Sequence, residues 1–161
     1  ARYEAGLDAN KNIVFKDAHI TENKVTTTDA SNTETKTWYG LYKKIKTFTT
    51  DSDKVVSSMI WGSQYDAIMN WMSKTGKSIV IKDDKKINTE STTGKNKNDI
   101  LNNIYDLYGC HREWTIEANN NNSRIYRGGS FEANIFPSYR DIMGPIALSN
   151  STSSRATLYI K

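Results

Sequence analysis

The chain has 161 residues, enough for one domain with a real core. A hydrophobic fraction of 37% and an aromatic fraction of 11% argue against disorder, even at a mean hydropathy of −0.68. Net charge is +4, from 22 basic and 18 acidic residues scattered along the chain, which gives neither the basic face nor the module of a nucleic-acid binder.

No apolar run approaches the ~18 residues of a membrane helix, so no membrane insertion is expected. Cys110 is the single cysteine, which excludes an internal disulfide framework and leaves the compartment open. The chain starts at Ala1 without a signal peptide and is read as a processed product, an excised domain or a tagless expression form.

In chain order, the turn signal Asp8-Ala9-Asn10 beside the apolar run Ile13 to Phe15 predicts a strand or hairpin. The Thr, Ser and Asn-rich stretch 21–36 predicts an exposed loop. Trp38, Leu41, Tyr42, Ile45 and Phe48 recur at spacings of three and four, the stripe of an amphipathic helix. "VVSSMIW" (55–61) predicts a short buried strand. "SQYDAIMNWMSKTG" predicts a second helix with Tyr65, Ile68, Met69 and Met72 on one face, Ser63 as N-cap and Gly76 as the C′ residue. "SIVI" (78–81) reads as a strand and 82–99 as a long polar loop. The remainder alternates strand-like pieces, "EWTIEA", "SRIYRGGSF" and "ATLYIK", with irregular segments. Two helices followed by strands and loops predict one α+β domain spanning 1–161. Trp38, Trp61, Trp71, Trp114 and Phe131 are expected in its core, with aromatic stacking in a sugar site as the alternative for the first three.

"NIYDLYGCHREWT", then "RIYRGGSF", Arg140 and the terminal "SSRATLYIK" resemble the formylglycine-generating-enzyme family, the sulfatase-modifying-factor domain. Order and rough spacing correspond from about Trp38 to Lys161, while 1–37 read as a divergent or partial N-terminal portion. The resemblance implies a C-type-lectin-like fold with a small twisted antiparallel sheet, two helices and long ordered loops. Trp114, Ile116, Tyr126, Phe131 and Leu158 would then lie buried on that sheet.

Catalytic members of the family carry a cysteine pair just after their R-G-G-S-W motif, and those positions fall here on Ala133 and Ser138. A copper-dependent thiol oxidase needs those thiolates as ligands and redox centre, so the chain is read as a non-enzyme without a redox cofactor. His19 and His111 are not in ligand-like spacing, and His111 is read as a surface loop residue. In relatives the loop before the Glu-Trp pair wraps calcium. Carried over, that implies the side chains of Asp106 and Glu113 with the carbonyls of Gly109 and His111, a hard oxygen set. The alternative has Asp106 capping a turn and Glu113 pairing with an arginine such as Arg112 or Arg127.

Non-catalytic relatives include phage and bacterial receptor-binding proteins and the variable proteins of diversity-generating retroelements. The expectation is therefore a ligand-binding domain of a phage tail or bacterial surface, recognising a cell-surface protein or glycan, as a homo-oligomer or part of a larger chain. Binding is expected over Asn119, Asn120, Asn121 and Asn122, and over Glu132, Asn134, Phe136, Ser138, Tyr139 and Arg140, because Tyr, Phe and Arg supply contact and Asn and Ser adaptable hydrogen bonds. A divergent enzyme of the superfamily and a structural tail module are the competing readings.

Overall fold

The computed structural model describes residues 4–7, 13–14, 37–48, 54–75, 93–94, 100–107, 109–131, 136–149 and 151–160. Over these the chain is α+β, with two helices, a small curled mixed sheet and three two-stranded pieces. The "SIVI" stretch, Gly76, Glu132, Ala133 and Asn134 lie outside the described residues.

The predicted hairpin is present: β1 (Gly6–Leu7) pairs antiparallel with β2 (Ile13–Val14). Helix α1 (Trp38–Lys46) starts where Thr37 Oγ1 accepts the Gly40 N–H at 3.1 Å, and Lys43, Lys44 and Lys46 oppose the negative end of its dipole. Its stripe buries Trp38, Leu41 and Ile45. Phe48 does not extend that stripe as expected, because the helix ends at Lys46 and leaves its ring in solvent.

Strand β3 (Val55–Met59) leads into α2 (Gly62–Lys74), whose Tyr65, Met69 and Met72 are buried as the periodicity requires. Its N-cap is Trp61 instead of Ser63. The Gln64 side chain turns back to accept the Trp61 N–H at 2.9 Å, so the helix starts two residues earlier than a cap at Ser63 would start it.

Strands β4 (Ile100–Leu101) and β5 (Ile104–Tyr105) form a tight hairpin. Its two central residues, Asn102 and Asn103, both take positive φ (49° and 65°), the backbone that a two-residue primed turn needs and asparagine tolerates. The main sheet then assembles in the order β8-β7-β6-β9, from β6 (Arg112–Asn120), β7 (Ser123–Arg127), β8 (Arg140–Met143) and β9 (Thr152–Ser154). It is mixed where an antiparallel sheet was expected, since β9 runs parallel to β6. Strand β10 (Ala156–Ile160) leaves that sheet and pairs antiparallel with β3.

Neighbouring residues on a strand point to opposite faces, and the two faces of β6–β7 differ accordingly. Trp114 and Tyr126 are cross-strand partners whose rings meet edge to face at 5.8 Å. They join Trp38, Leu41, Ile45 and Met59 in a core against α1, tied further by the Trp38 Nε1–H donating to the Thr115 carbonyl at 2.7 Å. Glu113 and Arg127 point the other way, where the Arg127 guanidinium lies over the Tyr65 ring of α2. A second apolar cluster, Ile60, Tyr65, Met69, Met72, Leu101 and Leu107, forms under α2.

Several expected core positions are corrected. Phe131 lies in a turn, only partly buried, and Ile116 is partly buried at the edge of the α1 cluster. Leu158 is 61% exposed on β10. Trp61 and Trp71 are 47% and 46% exposed, because α2 fills its buried face without either. At 100° per residue Trp71 lies roughly 120° around the helix from Tyr65. Conversely, Ser149, Ser151, Thr152, Ser153 and Ser154, whose composition reads as an irregular segment, are buried. Their hydroxyls serve as internal hydrogen-bond donors: Ser154 Oγ to the Trp114 carbonyl (2.9 Å) and Ser153 Oγ to the Ala5 carbonyl (2.6 Å). With the Ala5 N–H donating to the Ser154 carbonyl at 2.7 Å, they bind the start of the chain to β9.

Candidate functional site

The first turn of α2 presents the most built surface among the described residues. Gln64 bridges the helix start and β10: Oε1 accepts the Trp61 backbone N–H, and Nε2 donates to the Tyr159 hydroxyl at 2.9 Å. Tyr159 is 37% exposed on β10, so one amide ties its phenol to the backbone at Trp61, whose indole is itself 47% exposed. Beside them the Glu117 carboxylate fills the space that a Cβ on Gly62 would need, which is why helix and strand approach so closely there. Glu117 accepts from Arg140 Nη2 at 2.6 Å, and Arg127 pairs with Asp66 one turn further along α2. The Glu117 carboxylate keeps the Arg140 guanidinium firmly charged.

The expected binding segment 136–140 is anchored to the same helix. The Tyr65 hydroxyl donates to the Pro137 carbonyl at 3.0 Å, the Tyr139 N–H to the Phe136 carbonyl at 2.9 Å, and the Gly128 N–H to the Tyr139 carbonyl at 3.1 Å. Between these ties the Phe136 side chain is 54% exposed, and Ser138 is exposed as well. Tyr139 instead packs on the α1 core and donates to Asp141 Oδ2 at 2.8 Å, an oxygen it shares with the Tyr126 hydroxyl at 2.9 Å. Burial and this bond push the Tyr126 phenol up to about 12. The Ile142 N–H and the two hydroxyls hold the Asp141 carboxyl below its ordinary value.

The asparagine run is an exposed hairpin end. Asn119 and Asn120 close β6, and Asn120 Oδ1 accepts from the Asn122 N–H (2.8 Å) and Ser123 Oγ (2.9 Å) across the Asn121–Asn122 turn. It does not adjoin 136–140. In the β7–β8 register Arg124 faces Met143 and Arg127 faces Arg140, so the two expected segments sit at opposite ends of β8, about 10 Å apart along the strand. Arg140 instead contacts Glu117, which packs on Gly62 at the start of α2; Gln64, Glu117 and Tyr159 were missed by the sequence reading, and Trp61 entered it only as the alternative to a core position. The available signal was a tryptophan just before a helix whose apolar stripe is complete without it.

The residues expected for calcium lie in a buried polar interior. Glu113 receives Arg155 Nε at 3.0 and 3.1 Å and also Nη2, with both side chains buried. The partner is thus Arg155, not Arg112 or Arg127. Burial opposes the charge on Arg155, yet the Glu113 carboxylate raises its pKa above the ordinary arginine range. With Glu113 already matched in charge, the expected pair of calcium carboxylates reduces to Asp106. Asp106, at φ 63°, accepts the Gly94 N–H through Oδ2 at 2.7 Å, whereas its Oδ1 is buried without a hydrogen-bond partner among the described residues. Burial is the main reason its pKa rises from 3.8 to about 6. Gly109 is buried, and so is His111, which is a correction to its reading as a surface residue.

Among the described residues no helix is long and apolar enough to cross a membrane. Comparison of the chain with protein families, with characterised proteins and with solved structures gives no match.

Proposed function

We propose that the domain is a non-enzymatic ligand-binding module of receptor or adhesion type, built on a C-type-lectin-like scaffold and carried by a phage or bacterial surface protein. The observation that supports this most is the Trp61–Gln64–Tyr159 group beside the Arg140–Glu117 pair. Half-exposed aromatic faces give contact area at little entropic cost, and an amide and a charged pair at their rim give direction. Gln64 fixes the Tyr159 hydroxyl and the Trp61 backbone, and Tyr65 fixes the Pro137 carbonyl, before any ligand arrives, which limits the ordering that has to accompany binding. The ligand class is a cell-surface glycan or protein with an apolar face and polar edges. On the chemical side, Ser138 offers only a hydroxyl where the resembled oxidases carry a thiolate.

The test is a screen of the purified chain against arrays of bacterial surface glycans and proteins, with Trp61→Ala and Tyr159→Ala as paired variants. Binding by the parent that both variants weaken supports the reading. Binding that neither variant changes would place the ligand elsewhere.

A further inference from the structure

A second site lies near the buried Arg155, in residues that the ligand-binding reading does not use. Three chemically distinct donors, the Glu4 carboxylate, the Cys110 thiol and the His111 imidazole, converge in the interior with their ligand atoms within 4.8 Å of one another. All three side chains are buried. Cys110 Sγ lies 3.0 Å from His111 Nδ1, and Glu4 Oε2 lies 3.4 Å from the same nitrogen. A ring nitrogen carries at most one proton and can direct it at one of these neighbours. A cation at the centre of the triangle serves all three donors.

We propose that Glu4, Cys110 and His111 form a structural zinc site. The donor set selects the metal. A thiolate and an imidazole suit a borderline ion such as zinc and not the hard calcium or magnesium ions, and a carboxylate completes a common zinc set. The charges also close. Zinc with a thiolate, a carboxylate and a neutral imidazole is neutral, beside the neutral Glu113–Arg155 pair, so the loaded site adds no net charge to the interior. Binding releases the Cys110 proton to solvent, because the thiolate is the ligand. Ideal tetrahedral geometry with Zn–S ~2.3 Å and Zn–N ~2.0 Å sets sulfur and nitrogen about 3.5 Å apart, so loading the ion moves Sγ and Nδ1 apart by about half an ångström.

The backbone fits the role. Cys110 takes φ 57°, a left-handed conformation that costs a cysteine and would suit asparagine or glycine better, and it places the thiol inward beside His111. Glu4 reaches the site because Ala5 is fixed to Ser153 and Ser154 of β9. The Phe131 ring stands edge-on to the His111 ring at 5.7 Å. Burial makes the site a clasp between the segment at Glu4 and the 109–111 loop.

The experiment uses the full chain, stripped with chelator and then titrated with zinc and separately with cobalt(II). The expected result is one zinc per chain, a melting temperature that falls on chelation and returns with zinc, and a sulfur-to-metal charge-transfer band in the cobalt form. Cys110→Ser should abolish that band and weaken zinc binding by at least the tenfold to hundredfold typical of losing an outer-shell partner. Glu4→Gln should weaken binding while keeping the band, which preserves the test if the serine variant does not fold. A parent chain with no zinc uptake, or a cobalt form without the charge-transfer band, would overturn the proposal.

Discussion

Arg155 grips Glu113 through Nε and Nη2 with both side chains buried, and its Nη2 also donates to the Tyr105 carbonyl at 2.8 Å. The pair joins the residue after β9 to the start of β6 and to the β4–β5 hairpin. Removing one partner leaves a buried charge, which costs more than the pair itself contributes. Arg155→Met is expected to lower unfolding free energy by about 3–5 kcal/mol, read by urea denaturation, whereas Arg155→Met with Glu113→Leu recovers most of that loss. Equal destabilisation in the single and double variants would show that packing volume, not the stranded carboxylate, sets the cost.

Asp106 gives the protein a pH signature. Its pKa is raised, so its contribution to stability is fully present below about pH 4 and is lost as pH climbs through about 6. A rise from 3.8 to about 6 corresponds to about 3 kcal/mol. Asp106→Asn keeps an oxygen for the Gly94 N–H and tolerates the positive φ, but cannot ionise. The melting temperature of this variant should overtake that of the parent progressively between about pH 4 and 6.5 and then run parallel to it. A difference that does not change with pH would mean that Asp106 is not held neutral by burial.

Gly128 takes φ 84°, and a Cβ there would stand 2.8 Å from the Tyr65 hydroxyl. Gly128→Ala therefore combines a left-handed backbone cost of about 1–2 kcal/mol with a clash against a fully buried ring. In chemical denaturation the alanine variant should lose more than the backbone cost alone. Tyr65→Phe in the same background should return the excess, so the two substitutions are less than additive. Strict additivity would argue that the hydroxyl yields freely.

The core pairing of Trp114 with Tyr126 was legible because alternation on β6 and β7 leaves little choice of face. The α1 stripe and the buried side of α2 were legible for the same reason at helical period. Trp71 was misplaced because bulk apolarity was weighed above its angle on the helix, and Trp61 because it was read as the end of a buried strand where it is the N-cap of α2. The serines and threonines at 149 and 151–154 read only as an irregular segment, because polar composition marks loops only when the hydroxyls meet water; here Ser153 and Ser154 meet backbone carbonyls of Ala5 and of β6, and Ser149, Ser151 and Thr152 meet one another. Arg155 and Glu4 were invisible as partners of Glu113 and His111, since pairing across more than forty residues leaves no local pattern. Of the expected binding residues, Phe136, Ser138 and Arg140 are exposed. Tyr139 was not separable from core by sequence, because Tyr126 and Asp141 must first be brought beside it.

The central claim is that recognition runs through the α2 first-turn surface. It is tested most directly by comparing the parent chain with Trp61→Ala/Tyr159→Ala for binding to intact bacteria bearing the array-identified surface ligand. Both residues are half-exposed or nearly so, and exposed positions rarely change stability by more than ~0.5 kcal/mol, although the loss of the Gln64–Tyr159 bond adds to that. The account predicts that the double variant keeps a cooperative melt within a few degrees of the parent and loses affinity by at least a hundredfold, about 2.7 kcal/mol. Undiminished binding by the folded double variant would contradict it.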